Sequence, residues 1–324
     1  MLKAAVIGTG YMGKNHCRIY RDIYGIDLIS VSDTNFEEAK KTSDKFSCKA
    51  YDNSAEMIKK ENPDFVSICV PTILHKDIAL EVINSGCHAL IEKPIADSSE
   101  NAMKIINSAK EKDVKLMIGH IERFNPVIKK IFQCIESGMI GKIWCINTVR
   151  KNPTPDRIRD VGVVIDLAVH DIDIMRYLLK SEPVRISAET GKYATKNEDI
   201  MNALLRFENG VLGILDVNWI TPLKIREIYI NGEKGMLKAD YISQNLEFFG
   251  NSAYPSNDID YSQTLMGISQ GEIRKIPVDK REPLKVELEA FIDCIKNNKE
   301  PPVTGQDGLR ALEIAETILK KSAE

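Results

Sequence analysis

Asp166 and His170 stand four residues apart in the stretch Val163-Val164-Ile165-Asp166-Leu167-Ala168-Val169-His170. On a helix that spacing puts both on one face. A carboxylate there orients the imidazole and stabilises the imidazolium formed when the ring takes a proton from a hydroxyl. The same two types chelate metals, but no third or fourth ligand stands at motif spacing and Asp171 and Asp173 project from other sides of the helix, so no metal is expected. A helix-internal ion pair is the plain alternative. A second candidate is Lys93, in Glu92-Lys93-Pro94 directly after the apolar run His88-Ala89-Leu90-Ile91. A cation at a strand end polarises a substrate oxygen, and partial burial would let it move a proton; the plain alternative is a surface Glu-Lys pair. Positive charge gathers again between Arg150 and Asp160, where the forked guanidinium groups of Arg157 and Arg159 suit a diphosphate unless the loop is simply solvated. Arg123 and Asn125, in Glu122-Arg123-Phe124-Asn125-Pro126, are candidates for an interdomain cleft.

These groups need a scaffold, and the amino terminus announces one. The run Ala4-Ala5-Val6-Ile7 breaks into Gly8-Thr9-Gly10-Tyr11-Met12-Gly13 and then into a helix-forming stretch. Gly8 permits the tight turn, Gly10 lets the backbone approach a pyrophosphate, and Gly13 lets the helix pack closely. The helix N-terminus then faces the phosphates with free N–H groups and the positive end of its dipole. A second strand-like run, Leu28-Ile29-Ser30-Val31-Ser32, ends at Asp33, about twenty residues past the last glycine, where the pattern wants an acid for the adenosine ribose. A carboxylate accepts from two ribose hydroxyls but repels a phosphate there, and Thr34, Asn35 and Phe36 supply no arginine. NAD is therefore expected over NADP, although Asp33 would also serve as an ordinary helix cap. His75, after Val70-Pro71-Thr72, is expected to line the cofactor cleft, whereas His16, His88 and His120 read as structural.

Strands and helices alternate up to about Gly119, which predicts a parallel, doubly wound α/β sheet with its ligand crevice at the carboxyl ends of the strands. Its apolar runs, such as Phe65-Val66-Ser67-Ile68-Cys69-Val70, suit strands covered on both faces. After Pro126 the pattern changes to a helix, a strand (142–150), a helix (163–179) and six long strand runs between 184 and 249. Turns such as Glu208-Asn209-Gly210 and Asn231-Gly232 suit antiparallel hairpins. The expected second domain is an open-faced, mostly antiparallel α+β sheet with helices on one side; its bare face invites self-association as a dimer or tetramer. The boundary falls at 120, giving domains over 1–120 and 121–324, with the C-terminal helices (284–297, 306–321) able to pack back on the first. Residues 250–271 read as a polar surface loop.

The 324 residues suffice for two cores. A formal charge of −3 gives no global basic field for nucleic acid or an anionic membrane. Seven cysteines, scattered singly and without a C-x-x-C pair, suit a reducing cytosol, and no apolar run is long enough to span a bilayer. A soluble cytoplasmic protein is expected.

The ordered set Gly8-Thr9-Gly10-Tyr11-Met12-Gly13, Val70-Pro71-Thr72 with His75, Glu92-Lys93-Pro94 and Asp166 with His170 resembles the Gfo/Idh/MocA family of NAD(P)-dependent oxidoreductases over essentially the whole chain. The resemblance implies a Rossmann domain joined to an open-faced sheet, a catalytic constellation of Lys93, Asp166 and His170, and a cis peptide before Pro94 that would aim Lys93 inward. It implies a cofactor set of the six glycine-loop residues, Asp33, Val70, Pro71, Thr72, His75, Glu92 and Lys93. Val70 departs from the threonine that many members carry. Glu122-Arg123-Phe124-Asn125-Pro126 and the Arg157–Val163 segment look like the branch acting on UDP-linked amino sugars, such as UDP-N-acetylglucosamine 3-dehydrogenases. That would give Arg123, Asn125, Arg157 and Arg159 a nucleotide sugar to bind, and would place a coupled aminotransferase downstream. In this reading NAD takes a hydride from C3 while His170 removes the hydroxyl proton and Lys93 stabilises the alkoxide, or the last two exchange tasks. A free sugar or inositol as substrate, and a non-catalytic NAD-binding regulator, are the alternatives.

Overall fold

The structure, a computed structural model, describes residues 1–154, 161–251 and 271–322. The chain divides into two compact units, Met1–Phe124 with Glu282–Ile314, and Asn125–Arg281 with Ala315–Glu324. The expected boundary at 120 thus moves to 124, and residues 282–314 count with the first unit. The sequence reading allows for the C-terminal helices packing back on the first domain, and local pairing shows how part of that segment does: Ile118 N donates to Val303 O at 3.2 Å, and Met117 bridges Thr304, so the late segment adds a rung to the first unit's sheet.

The first unit runs β1 (Leu2–Ile7), α1 (Tyr11–Asp22), β2 (Ile26–Ser32), α2 (Phe36–Phe46), β3 (Lys49–Tyr51), α3 (Ser54–Glu61), β4 (Phe65–Ile68), α4 (His75–Asn84), β5 (His88–Glu92), α5 (Ser99–Glu111) and β6 (Leu116–Gly119). All strand pairs are parallel, in the order β3-β2-β1-β4-β5-β6. That order reverses between β1 and β4, so the crevice of a doubly wound sheet opens there. Every residue of β4 and β6 is buried, which is why these strands read as unbroken apolar runs. β3 is absent from the sequence reading because three residues are too few to show a period.

The second unit contains α6 (Pro126–Glu136), β7 (Ile143–Lys151), a π-helical turn (Val164–Ala168), α7 (Val169–Leu179) and the strands β8 (Pro183–Gly191), β9 (Ile200–Phe207), β10 (Leu212–Asn218), β11 (Ile225–Gly232), β12 (Gly235–Asp240), β13 (Asn245–Gly250) and β14 (Ile273–Ile276). They form one eight-stranded sheet, β14-β13-β12-β11-β7-β10-β9-β8, antiparallel except for β7 beside β10. Burial alternates along β7 and β9, so one face is covered while the other presents Asn202, Leu204 and Arg206. Leu204 and Trp144 are about half exposed, at 48% and 54%.

Two local readings change. The β11–β12 turn is Glu233-Lys234, since Gly232 pairs with Gly235, and not Asn231-Gly232. Strand β14 lies just beyond the expected polar loop; an exposed edge strand carries no alternation to betray it. Most of that loop, 252–270, lies outside the described residues. The last helices are α8 (Pro283–Lys296) and α9 (Gly305–Lys321). No helix among the described residues is long and apolar enough to cross a membrane, and all seven cysteines are free thiols.

Candidate active site

In the first unit the carboxyl ends of parallel strands share one edge by construction. Gly8 after β1, Asp33 after β2, Val70 after β4 and Lys93 after β5 all fall on it. The turn into α1 requires glycine twice. Gly8 has φ +90°, and a side chain on Gly13 would stand 1.8 Å from Gly8 O. Gly10 differs, because nothing lies within 4 Å of where its Cβ would be: the space is open on the side a ligand would approach. Helix α1 begins there with no side-chain cap and no acid in its first turn, so the positive end of its dipole is not offset by a carboxylate of its own first turn. Such an end fits a pyrophosphate.

The Asp33 carboxylate is held in advance. Its Oδ2 accepts from Thr9 N at 2.7 Å and Thr9 Oγ1 at 2.9 Å, and its Oδ1 accepts from Asn35 N at 2.9 Å. Oδ2 thus accepts twice and Oδ1 once, which leaves a lone-pair site on Oδ1 for a ribose hydroxyl. These observations make the edge a fitting cradle for a dinucleotide.

Lys93 follows the buried Glu92 and is half-buried, and its peptide to Pro94 is cis, as the resemblance implies. His75 braces the same edge from within. Its ring is buried, with Nδ1 2.8 Å from Pro94 O and Nε2 2.9 Å from Val70 O. It thus ties the Val70 segment to the Lys93 segment. Burial pushes its basicity down while the two carbonyls work the other way, and a neutral ring has one N–H for two acceptors. Thr72 is buried, whereas Tyr11 and Pro71 are exposed at the same edge.

In the second unit Asp166 lies within the π-helical turn and His170 in the first turn of α7, so the expected α-helical face is not the geometry that relates them. A π turn displaces side chains relative to 3.6-residue spacing, a distortion frequent at functional sites. Its entry is anchored by Glu198, whose carbonyl accepts from Val163 N at 2.9 Å and whose Oε1 accepts from Val164 N at 3.3 Å. At Gly162 a Cβ would meet the Glu198 carboxylate at about 2 Å, so a larger residue there would displace that anchor.

Beneath His170, Asp171 forms a bidentate ion pair with Arg150 (Nε to Oδ2 2.7 Å, Nη2 to Oδ1 3.0 Å), each side chain 1% exposed. The Arg150 guanidinium also lies over the Tyr241 ring, 5.3 Å from its centroid. Arg150 is therefore structural and not part of a ligand-facing basic loop. Arg150→Met strands a buried carboxylate and is expected to lower stability by about 3–5 kcal/mol. Urea unfolding measures this, and restoration by the Arg150→Met, Asp171→Leu pair separates the stranded charge from lost packing.

Arg123 and Asn125 are likewise engaged. Arg123 Nη2 pairs with Asp307 at 3.0 Å and Nη1 donates to Pro302 O at 3.2 Å, while Asn125 accepts from Val127 N to cap α6 and donates to Tyr241 O at 3.0 Å. Each of these side chains is thus tied into its own unit's structure. Arg157 and Arg159 lie outside the described residues.

With this geometry, the comparisons agree. The oxidoreductase family with an NAD-binding Rossmann fold, Gfo/Idh/MocA, matches residues 2–120, and its C-terminal domain matches residues 128–238. The chain belongs to the Gfo/Idh/MocA family. It is thus an NAD-dependent oxidoreductase. This Gfo/Idh/MocA chain is 28% identical to the UDP-N-acetylglucosamine 3-dehydrogenase of Acidithiobacillus ferrooxidans, over 97% of itself and 95% of that protein. It is 27% identical to the myo-inositol 2-dehydrogenase of Thermotoga maritima, over 100% of itself and 96% of that protein. A solved structure of the A. ferrooxidans enzyme superposes with a TM-score of 0.87 at 27% identity, covering 99% of this chain and 97% of that one.

His16 is structural, as the sequence reading has it, but its partner and those of other residues around this Gfo/Idh/MocA site escape that reading. The ring of His16 is buried, three residues past the last motif glycine, and bonds Glu92. Helical spacing from Gly13 is the one sequence signal that points to it. Glu198 and the Arg150–Asp171 pair give no such signal, because their partners are distant in sequence.

Proposed function

We propose that this protein oxidises a secondary hydroxyl of a UDP-linked amino sugar to a ketone with NAD, most closely C3 of UDP-N-acetylglucosamine. The carrying observation is the combination, in one family chain, of an acid-terminated dinucleotide cradle with Lys93 at its edge and a separate Asp166–His170 pair. Similarity to the A. ferrooxidans enzyme over nearly both full lengths supports the substrate, as do Arg157 and Arg159 in the sequence.

The α1 N-terminus faces the pyrophosphate, and Asp33 accepts from an adenosine ribose hydroxyl, which favours NAD over NADP. Bound NAD supplies the hydride acceptor. His170 takes the hydroxyl proton, Asp166 orients the imidazole, and the Lys93 ammonium faces the oxygen as negative charge develops. Self-association over the outward face of the second sheet, as a dimer or tetramer, belongs to the same reading, and light scattering measures it.

A free polyol is the second reading, favoured by similarity to a myo-inositol dehydrogenase. The deciding experiment incubates the protein with NAD and a panel of UDP-sugars, free sugars and inositols. Because ketone formation by NAD is often uphill, it includes an amine donor with an aminotransferase, or a ketone trap, and identifies products by mass. A UDP-linked 3-keto sugar or its aminated product is expected. Turnover of inositol alone, without a thermal shift from UDP, would replace the nucleotide-sugar reading; NADH binding without turnover of any substrate would leave a regulator.

A further inference from the structure

Behind Lys93, and not used by the chemistry above, the first unit buries an unusual set of groups. Glu287 on α8 is 0% exposed, and neither carboxyl oxygen has a hydrogen-bond partner among the described residues. The Glu92 charge acts on it, and the Glu92 carboxylate sits against Gly119, where a Cβ would come 3.3 Å from Glu92 Oε2. Glu92 Oε1 is 3.1 Å from His16 Nε2, His16 Nδ1 is 3.0 Å from Ser67 Oγ, and Ser67 Oγ is 2.6 Å from Tyr20 Oη. Cys69 adds a sulfur, which with a His16 nitrogen and a Glu92 oxygen falls within 4.8 Å of the others.

Two buried carboxyls beside one imidazole cannot both be ionised cheaply. An isolated buried carboxylate either finds a cation or takes up a proton. Among the described residues no cation is hydrogen-bonded to the Glu287 carboxyl group. Cys17 and Tyr20 from α1 and Cys69 after β4 are neutral acids, held so by burial. The 121–124 turn, packed on α8, brings Glu122 and Arg123, and Arg123 is bound to Asp307. His75 and Lys93 flank Glu92 from the segments already described, and Arg18 pairs with Glu282 at the entry to α8. Burial and the Glu92 charge both push Glu287 well above the usual carboxylate range.

We propose that Glu287, fully buried and without a hydrogen-bond partner among the described residues, is kept neutral as a carboxylic acid so that Glu92 stays the acceptor for His16, and that the His16–Glu92 bond positions the segment bearing Lys93. Glu92 is the residue before Lys93, so the bond from His16 to its side chain anchors one end of the segment. The bond from His75 to Pro94 O anchors the other. Glu287 adds bulk and a proton without adding charge, leaving Glu92 as the acceptor that His16 needs.

The positioning claim rests on the assignment of Lys93 to the substrate; the proton claim does not. Infrared spectroscopy of the whole protein at neutral pD is expected to show a protonated carboxylic acid band that is absent from Glu287→Gln. In Glu92→Gln the band should titrate away at lower pH, because the repelling charge is gone. Its absence from the unaltered protein would overturn the proposal.

Thermal melts give a second reading. An unfolded glutamate releases its proton near pH 4.3 or so, and the folded one above that. The folded state therefore binds more protons across this window, and stability falls as pH rises through it. Glu287→Gln lacks that loss, so its melting temperature is expected to rise relative to the unaltered protein from about pH 5 to pH 8; a pH-independent difference would sink the idea. For positioning, His16→Asn is expected to lower kcat about 10–100-fold with NADH affinity retained, and an unchanged kcat would refute it. A stoichiometric metal in the purified protein would identify the cluster as a metal site and overturn the proton assignment. If no sugar is oxidised at all, the dehydrogenase reading fails while the infrared and thermal results still judge the cluster.

Discussion

Lys93→Ala and His170→Asn are each expected to lower kcat/KM by about 10²–10⁴-fold, or roughly 2.7–5.4 kcal/mol of transition-state stabilisation. The physical reason is the same for both. As the hydride leaves the carbon, the hydroxyl oxygen must lose its proton and pass through alkoxide character. A nearby ammonium lowers the energy of that charge, and an imidazole receives the proton. Neither contribution is needed to hold the dinucleotide, so NADH binding, followed by fluorescence titration, should persist in both variants. The double variant should fall short of the product of the two single losses, because groups serving one proton transfer act as a unit. Oxidation at the unaltered rate in either single variant would refute the assignment.

Gly13→Ala is expected to lower stability by about 3 kcal/mol or more and to abolish measurable NADH binding. A Cβ at 13 would lie 1.8 Å from Gly8 O and 2.9 Å from Gly8 C, and both are backbone atoms of a strained turn that cannot swing aside. Overpacking in a yielding core costs about 1–3 kcal/mol; here α1 would have to lift from β1. Gly10→Ala is the control. Its Cβ meets nothing within 4 Å, so the fold should melt unchanged while the added methyl group stands where the pyrophosphate approaches. Thermal melts and NADH titrations of the pair separate the two tasks of the glycine loop. Equal melting temperatures for both variants and the unaltered protein would refute the packing argument at 13.

The first unit was the more legible in sequence because its signals are local. A parallel strand buried on both faces is a short apolar run, and the glycine loop with Asp33 spans only 26 residues, from Gly8 to Asp33. The second unit was legible in outline, since alternation along β9 and β7 survives in the residues themselves. It was misread where local pattern gives no constraint. β14 is an edge strand whose pairing with β13 leaves little trace in composition. Arg150 looked like the start of a basic loop because a charged residue in a strand is not expected to be buried; its partner, Asp171, is 21 residues away.

By itself, the order of residues determined the dinucleotide cradle, the preference for an acid at 33, the parallel sheet and the presence of Lys93, Asp166 and His170 as chemically capable groups. These follow from spacing along one chain, because turns, strand ends and helix starts are set by neighbours. The tertiary structure alone decided which charges are spent. Arg123 is bound to Asp307 and Arg150 to Asp171, and Glu287 is fully buried. Ion pairing and burial depend on what lies a few ångströms away in space, and long-range packing, not sequence interval, fixes that distance.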